Sequence, residues 1–358
     1  MELLRQTIAD IKPVNKESME RVREKWDRKV KPVGSLGTLE EVTIKLAGMT
    51  GKVQNSINKK AIVVMASDNG VVEEGVSSAP QIFTRLLAES MSRGKTGISA
   101  LAKFGNVDVK IVDIGLNGEL DIPGVLNRKI ANGTKNFAKG PAMTYEEAVK
   151  SIEIGIEVGN TLYYEGYDIL GTGELGIGNT STSAAVLKVF ANYDIDVISG
   201  KGAGLTDEQL KNKINVIMKG IEINKPNKKD PIDVLAKVGG FDIGGMCGLF
   251  LSAAKNRKPI IVDGYISSAA ALIAAKLNPL IKDFILPSHL SNEPGAKYVL
   301  DELNLKPMVY LNMRLGEGTG CPFAFQIIEA ALYTLENMGT FEDAQMDSNV
   351  LVNIREEN

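Results

Sequence analysis

Histidine, cysteine and tryptophan are scarce in this chain. Its 358 residues include 1 His, 2 Cys and 1 Trp. A single histidine excludes any metal centre or catalytic pair that needs two histidines from this chain. Cys247 and Cys321 lie too far apart for a Cys-x-x-Cys motif, and two cysteines cannot form a disulfide scaffold. The chemistry must therefore come mainly from carboxylates, lysines, hydroxyls and backbone amides.

The chain also lacks an excess of basic charge and a long apolar segment. Its 41 Lys and Arg and 44 Asp and Glu give a net charge of −3, which is not the electrostatic footprint of a nucleic-acid binder. The longest apolar stretch, residues 268–277, contains Lys276 and is shorter than the roughly 20 residues that span a bilayer. The start, MELLR, is followed by polar residues and forms no signal-peptide core. We expect a cytoplasmic protein without nucleic-acid or membrane partners.

Glycine is abundant, and it clusters after short apolar runs. The 36 glycines are roughly 10% of the chain, against about 7% in average proteins. The Val- and Ile-rich runs are residues 61–66, 109–112, 168–170, 197–198, 259–262, 284–286 and 308–311. Helical segments such as 206–221 separate most of them. This alternation predicts an α/β fold with a Rossmann-like, doubly wound parallel sheet of about six strands, whose ligands bind beyond the carboxyl ends of the strands.

The two ends of the chain have a helical pattern instead. No strand signal precedes residue 60, residues 17–30 have a helical composition, and residues 323–338 predict a last helix that ends before Gly339. Thr38 and Glu41 predict a capping box. We expect a small helical domain from residues 1–56 plus 322–358, and a large α/β domain of residues 57–321 that carries the active-site loops.

One glycine-rich segment, residues 171–180 (GTGELGIGNT), follows a predicted strand and precedes a helix. It contains the spacing G-x-G-x-x-G, so a dinucleotide-binding dehydrogenase is one hypothesis. The internal Glu174 and the following hydroxyl residues favour a phosphate site at a helix N-terminus. A tight strand-to-helix turn without a ligand is the third interpretation.

A second segment, residues 199–204 (SGKGAG), also follows a predicted strand. Thr206 and Gln209 form a capping box for the next helix, and Lys213 lies two turns into it. Backbone amides and a lysine can bind a phosphate, although Lys213 can equally be a solvated surface residue.

Residues 314–320 (RLGEGTG) give the sharpest signal, because Glu317 stands between two glycines. Glycines allow the backbone to approach a ligand, and burial would raise the pKa of Glu317 and make it a general base. The alternatives are a solvated turn and a favourable charge at the start of the next helix.

Other candidates have weaker support. A Cys321–His289 nucleophile is a minor hypothesis, and packing is the simpler role for Cys321. His289 either lines the site or makes a structural hydrogen bond. Asp68, Asp242 and Asp263 either bind hydroxyl groups of a ligand or form ordinary Asx turns. The residues alone therefore predict an α/β protein that binds a small phosphorylated ligand and uses a glutamate base and no metal.

Seven motifs in this order resemble the nicotinate-nucleotide–dimethylbenzimidazole phosphoribosyltransferase family of cobamide assembly. They are residues 31–37 (KPVGSLG), 68–70 (DNG), 93–97 (RGKTG), 173–180 (GELGIGNT), 237–242 (KVGGFD), 287–289 (PSH) and 314–320 (RLGEGTG). The resemblance implies transfer of 5-phosphoribose from nicotinate mononucleotide to a lower-ligand base such as 5,6-dimethylbenzimidazole, without a metal or other cofactor. It also implies inversion at the anomeric carbon, Glu317 as the general base, and a homodimer. A dehydrogenase and a non-catalytic nucleotide sensor remain the rival hypotheses.

The same resemblance implies two groups of binding residues. The substrate-binding group is Glu174, Gly176, Thr180, Gly202, Lys213, Asp263, Ser291, Gly316 and Gly318. The base pocket is Ala79, Leu87, Met91, Leu175 and Leu315. Familiar members of the family carry Ser and Gln where this chain has Ala79 and Leu87, so the pocket here is more apolar. We therefore expect broad tolerance of the base, which could be a benzimidazole, a purine or a phenolic compound.

Overall fold

The computed structural model describes residues 1–118, 121–347 and 353–354, so part of the predicted C-terminal segment lies outside the described residues. Its strands are β1 Lys60–Ser67, β2 Asp108–Gly115, β3 Val125–Asn127, β4 Ile169–Leu175, β5 Ile260–Val262 and β6 Ile285–Pro287. All pair in parallel, in the order β3-β2-β1-β4-β5-β6. The prediction of a Rossmann-like parallel sheet is confirmed.

Fourteen helices surround this sheet within the described ranges. They are α1 Glu2–Asp10, α2 Lys16–Asp27, α3 Thr38–Thr50, α4 Ile82–Ser92, α5 Gly97–Phe104, α6 Tyr145–Tyr164, α7 Asn179–Phe190, α8 Ile195–Ile198, α9 Asp207–Asn224, α10 Pro231–Val238, α11 Phe241–Lys255, α12 Tyr265–Leu277, α13 Gly295–Leu303 and α14 Cys321–Asn337. None of the helices described is long and apolar enough to cross a membrane.

The central strands are buried throughout because both faces of the sheet are covered. Every residue of β1 and of β4 is buried, as expected for parallel strands packed between helices. On one side α6 and α11 approach closely at glycines: a Cβ on Gly155 would lie 1.9 Å from the carbonyl oxygen of Gly245. The chain reverses its direction of winding between β1 and β4, and this reversal opens a crevice at their carboxyl ends.

Several local predictions were wrong. Residues 197–198 belong to the short helix α8, which Asp194 caps, and not to a strand. Residues 308–311 contain only an isolated bridge between Val309 and His289, and the edge strand β3 was not predicted. Helix α3 begins after Gly37 without a side-chain cap, so Thr38 forms no capping box. Short runs of two to four apolar residues do not distinguish strand from helix, which explains these errors.

The helical ends of the chain do not all pack in the same place. Trp26 of α2, Ile44 of α3 and Leu335 of α14 share a small apolar cluster, and the Trp26 indole donates to the Thr43 hydroxyl (2.7 Å). Helix α1 instead contacts α6 and α11, and its Leu4 belongs to the main core. Helix α1 therefore packs on the α/β body, whereas α14 contacts both the body and the small cluster.

Candidate functional site

A cavity of about 250 Å³ lies at the carboxyl edge of the sheet. Its walls come from the end of β4, from the segments after β5 and β6, from α4, and from the 314–320 loop. Of the predicted residues, those that line it are Leu87, Glu174, Leu175, Gly176, Thr180, Gly202, Asp263, Ser291, Leu315, Gly316 and Glu317. Residues predicted from separate segments of the chain thus share one cavity.

Four predicted residues do not line the cavity. Lys213 lies behind its wall and donates to the Thr180 hydroxyl (2.8 Å). Gly318 faces the sheet, and its N–H donates to Asp263 (3.1 Å). Ala79 is half-buried before α4, and Met91 is buried in α4. Of the five residues predicted for the base pocket, Leu87, Leu175 and Leu315 are in the cavity wall and Ala79 and Met91 are not.

The 314–320 loop is held by carboxylates of neighbouring strands. Asp263, directly after β5, accepts the backbone N–H groups of Gly318 (3.1 Å) and Gly320 (2.7 Å). Glu174 of β4 accepts the N–H of Glu317 (3.3 Å). Because these N–H groups must face the sheet, the loop runs through left-handed backbone at Gly316 (φ 84°), Glu317 (φ 61°) and Gly318 (φ 86°). A left-handed conformation is uncommon for a non-glycine residue and often marks a functional position.

The Glu317 side chain lies in the cavity wall, and the residue is 7% exposed. Its Oε2 accepts the N–H of Ile98 (3.2 Å), at the start of α5. Burial raises the pKa of Glu317, while the hydrogen bonds from Ile98 and from the Thr96 side chain oppose the shift. Gly97 lies close to the Glu317 carboxyl, since a Cβ there would be 3.6 Å from Oε2. A buried carboxyl with a raised pKa has the basicity that proton abstraction requires.

Glu174 belongs to a second group of buried carboxyls. Asn179, the first residue of α7, donates through its side-chain amide to both Glu174 and Asp242. Burial raises the pKa of Glu174 to about 8, that of Asp263 to about 7 and that of Asp242 to about 6. Positive charge that arrives beside these carboxyls would favour their ionised forms.

The first glycine segment does not have the geometry of a dinucleotide fingerprint. Its residues 171–175 lie within β4, whereas the fingerprint needs its glycines in the turn between strand and helix. Only residues 176–178 form the connection, and Gly178 (φ 90°) leads into α7. The dehydrogenase hypothesis loses its main support.

The second glycine segment connects α8 to α9 and follows a helix instead of the predicted strand. The capping box of Thr206 and Gln209 is confirmed. Lys213 is fully buried, so the interpretation as a solvated surface lysine is wrong. Its ammonium donates to Thr180 Oγ1 (2.8 Å) and to the Gly200 carbonyl (2.9 Å). Burial lowers the pKa of Lys213 to about 8.

Cys321 has no features of a nucleophile. Its thiol is buried against the carbonyl of Thr172 (3.6 Å), and burial raises its pKa well above the usual range. His289 lines the cavity, and its Nδ1 lies 3.0 Å from the Ser288 hydroxyl. Burial lowers the pKa of His289, so the imidazole is neutral near pH 7. These contacts favour the packing role for Cys321.

Among the cavity residues that the sequence analysis missed, two carry ionisable side chains. Glu293 and Tyr265 line the cavity from the starts of α13 and α12. Neither stands in a glycine motif. The only available signal was position, because each follows a predicted strand end within a few residues.

Comparisons with known proteins agree with each other. A phosphoribosyltransferase family model matches residues 11–346. A nicotinate-nucleotide–dimethylbenzimidazole phosphoribosyltransferase of Clostridium tetani is 54% identical, covering 99% of each chain. The protein of that name from Ruminiclostridium cellulolyticum is 50% identical, over 96% of this chain and 97% of its own. The crystal structure of CobT from Thermus thermophilus superposes with a TM-score of 0.88 and 36% identity, over 93% of this chain and 100% of that one.

The buried carboxyls predict that the ligand-free protein loses stability as pH rises from about 5.5 to about 7.5. Their pKa values of about 8, 7 and 6 in the folded state exceed the unfolded values near 4. The folded state then binds more protons than the unfolded state, and each extra proton contributes up to about 1.4 kcal/mol per pH unit. The lowered pKa of His289 has the opposite effect on the pH dependence of stability, and this effect involves at most one proton.

Urea unfolding at several pH values measures this slope. Glu174→Gln should make the slope shallower, because the variant lacks the carboxyl with the highest of these pKa values. Glu208→Gln, an exposed position in α9, should retain the wild-type slope. A free energy of unfolding that increases across this range would contradict the prediction.

Proposed function

The chain belongs to the nicotinate-nucleotide–dimethylbenzimidazole phosphoribosyltransferase family, and we propose that it transfers the phosphoribosyl group of nicotinate mononucleotide to a lower-ligand base. The base is 5,6-dimethylbenzimidazole or a related aromatic compound, and the products are α-ribazole 5'-phosphate and nicotinate. The reaction belongs to cobalamin nucleotide-loop assembly. The observation that carries the proposal is the Glu317 carboxyl, held in the cavity wall by Ile98 with a raised pKa.

Glu317 acts as the general base. The incoming imidazole nitrogen forms the new bond to the anomeric carbon, and the proton of the imidazole passes to Glu317. The bond from the anomeric carbon to the pyridinium nitrogen breaks, and its electron pair returns to nicotinate. The leaving group departs as a neutral pyridine, so it needs no acid. A single displacement from the opposite face inverts the configuration at this carbon.

The carboxyls beside Glu317 support the cationic character of this substrate. Glu174 and Asp263 line the same cavity, and their raised pKa values mean that ionisation is costly without a positive charge nearby. A pyridinium ring, or positive charge developing on the ribose, lowers these pKa values by direct attraction. The ionised carboxylates then stabilise positive charge where bond breaking requires it.

The phosphate binds at the part of the cavity wall next to α7. Thr180, at the start of α7, and Gly202 both line the wall there, and Lys213 is bonded to Thr180 from behind. The Lys213 ammonium lies within 4 Å of the place that a Cβ on Gly202 would occupy (3.9 Å). Backbone amides, a hydroxyl and an ammonium form a chemically suitable phosphate site.

The aromatic base binds against the apolar part of the wall. Leu87 of α4, Leu175 at the end of β4 and Leu315 beside Glu317 form this surface. Ala79 and Met91 contribute indirectly, by supporting the start and the buried face of α4. With few polar groups to hydrogen-bond a particular base, the pocket discriminates mainly by shape.

We also propose that two copies of this chain form the active unit, with the small helical domain of one covering the cavity of the other. Ile82, Phe83 and Leu86 form an apolar face on α4, and each is at least 45% exposed. Leu315, on the rim of the cavity, is 61% exposed. A second copy that covers these side chains would also exclude water from the neighbouring cavity.

Glu317→Gln should lower the rate of nicotinate release by about 100- to 10,000-fold, the usual contribution of a general base. The amide keeps the shape and the hydrogen bond from Ile98, but it cannot accept the proton. Nicotinate release from nicotinate mononucleotide in the presence of 5,6-dimethylbenzimidazole measures this. Glu208→Gln is the control and should be as active as the wild type. Full activity of Glu317→Gln would exclude the mechanism, and binding of the nucleotide without turnover by the wild type would favour a sensor.

A panel of bases should show less than about a thousandfold spread in kcat/KM, because an apolar pocket discriminates weakly. The panel should contain benzimidazoles, a purine and a phenol. Leu87→Gln adds a hydrogen-bonding group to the wall and should widen the spread. One base preferred more than about a thousandfold by the wild type would overturn this expectation.

Analytical ultracentrifugation should give the mass of two chains. Phe83→Glu places a charge in the apolar α4 face and should shift the protein towards the monomer, because burial of an unpaired charge is costly. Tyr164→Glu is the matched control, since Tyr164 is 94% exposed at the end of α6, and it should remain dimeric. A monomeric wild-type protein at enzyme-assay concentrations would refute the proposal.

A further inference from the structure

Glu293 is a buried carboxyl that the proposed reaction does not use. It stands just before α13, is 7% exposed and belongs to the cavity wall. Its backbone N–H donates to the Ser291 hydroxyl (3.3 Å). Its Oε2 is closed off from solvent and has no hydrogen-bond partner among the described residues. A buried, unpaired carboxylate oxygen is costly, so a nearby charge is expected to compensate it.

Gly200 lies directly against this carboxyl. A Cβ on Gly200 would lie 2.1 Å from Glu293 Oε2 and 2.7 Å from Pro294 Cδ. Only glycine therefore lets the 199–204 loop approach Glu293 so closely. Since Oε2 is covered by this loop, it is not available to a ligand in the cavity. Through Oε2, Glu293 can therefore act on the loop and on the groups bonded to it.

That neighbour is Lys213. The carbonyl of Gly200 accepts a hydrogen bond from the Lys213 ammonium (2.9 Å), so Gly200 contacts both charged groups. The ammonium has three donors, and the described part of the chain supplies two acceptors, Gly200 and Thr180. The ammonium therefore lies directly behind the part of the wall that Thr180 and Gly202 form.

Few charged groups surround Lys213 and Glu293. Burial lowers the pKa of Lys213 to about 8, and Glu293 opposes this shift. Burial raises the pKa of Glu293, and the positive charges of Lys213 and Arg314 oppose that shift. Tyr265 of α12 also faces Glu293, and burial together with the Glu293 charge raises its pKa. Lys201 and Asp207 pair with each other on the exposed side of the loop (2.7 Å).

We propose that Glu293 is a positioning residue whose negative charge keeps the buried Lys213 ammonium protonated at the phosphate-binding end of the cavity. The inference rests on the proposed function in one respect, the placement of the substrate phosphate beside Gly202 and Thr180. In this role Glu293 acts through Lys213. It determines the pH range in which the Lys213 charge, bonded to Thr180 behind the wall, attracts the phosphate.

The test is the pH dependence of KM for nicotinate mononucleotide between pH 7 and pH 9, where the substrate phosphate, with its second pKa near 6, keeps its charge. In Glu293→Gln the pKa of Lys213 should fall further. For a fall of one unit, KM should exceed the wild-type value about twofold at pH 7 and about tenfold at pH 9. Because the effect is on binding, kcat at saturating substrate should change little.

Two controls separate this effect from a structural defect. Asp301→Asn removes an exposed charge from α13, the helix that follows Glu293, and should leave the profile unchanged. In a Lys213→Arg background, where the cation keeps its charge at every pH used, Glu293→Gln should cause no pH-dependent change in KM. A ratio of mutant to wild-type KM that is constant from pH 7 to pH 9 would overturn the proposal.

Glu293→Asp keeps the charge and serves as the second variant if Glu293→Gln does not fold. Its KM ratio to the wild type should not depend on pH, and a pH-dependent ratio would overturn the proposal. Sulfate is a probe whose charge is constant over this pH range. Its binding, measured by calorimetry, requires no turnover. The affinity of Glu293→Gln for sulfate, relative to the wild type, should fall with pH as the KM ratio rises. If the wild type shows no transferase activity, the proposed function fails, and the sulfate measurement still decides the role of Glu293.

Discussion

The two hydrogen bonds from the 314–320 loop to Asp263 determine the geometry of the whole site. Both oxygens of this buried carboxylate accept backbone N–H groups, from Gly318 and from Gly320. Glu174 accepts a third, from Glu317. Buried carboxylates need such partners to offset the loss of water, and the loop needs acceptors for N–H groups that its left-handed course turns inward. The strand ends and the loop therefore stabilise each other, and Glu317 is placed in the cavity wall as a result.

The strand order explains why these groups meet. Glu174, Asp263 and His289 come from the ends of three neighbouring strands, β4, β5 and β6, or from the residues that follow them. Parallel pairing places these ends at one edge of the sheet, and the reversal between β1 and β4 leaves room for a ligand there. Glycines at positions 176 and 316 let neighbouring groups come close: a Cβ would lie 2.5 Å from the Ser67 carbonyl in one case and 2.2 Å from Glu174 in the other. At this edge of the sheet, backbone and carboxyl groups therefore fill the space that bulky side chains fill in an ordinary core.

The electrostatics of the cavity follow from the same packing. At one end, buried carboxyls have raised pKa values because they lack water and lie near one another. At the other end, Lys213 has a lowered pKa because it is buried, and the charge of Glu293 compensates this burial only in part. A substrate with a cationic ring and an anionic phosphate matches this division of charge. A complementary charge beside each of these groups would favour its ionised form further.

The sequence by itself determined the parallel α/β class, the glycine-bounded Glu317 and the family, because apolar strands, glycine turns and motif order are properties of local sequence. It failed for residues 197–198 and 308–311, where a few apolar residues fit either helix or strand and only tertiary packing chooses. It also missed Glu293, because no local pattern marks a carboxyl that becomes buried against a glycine distant in the chain. Only the tertiary structure placed Asp263 beneath the Glu317 loop, Lys213 behind the cavity wall and Glu293 against Gly200. Burial and charge pairing arise between segments far apart in sequence, so they exist only once the chain has folded.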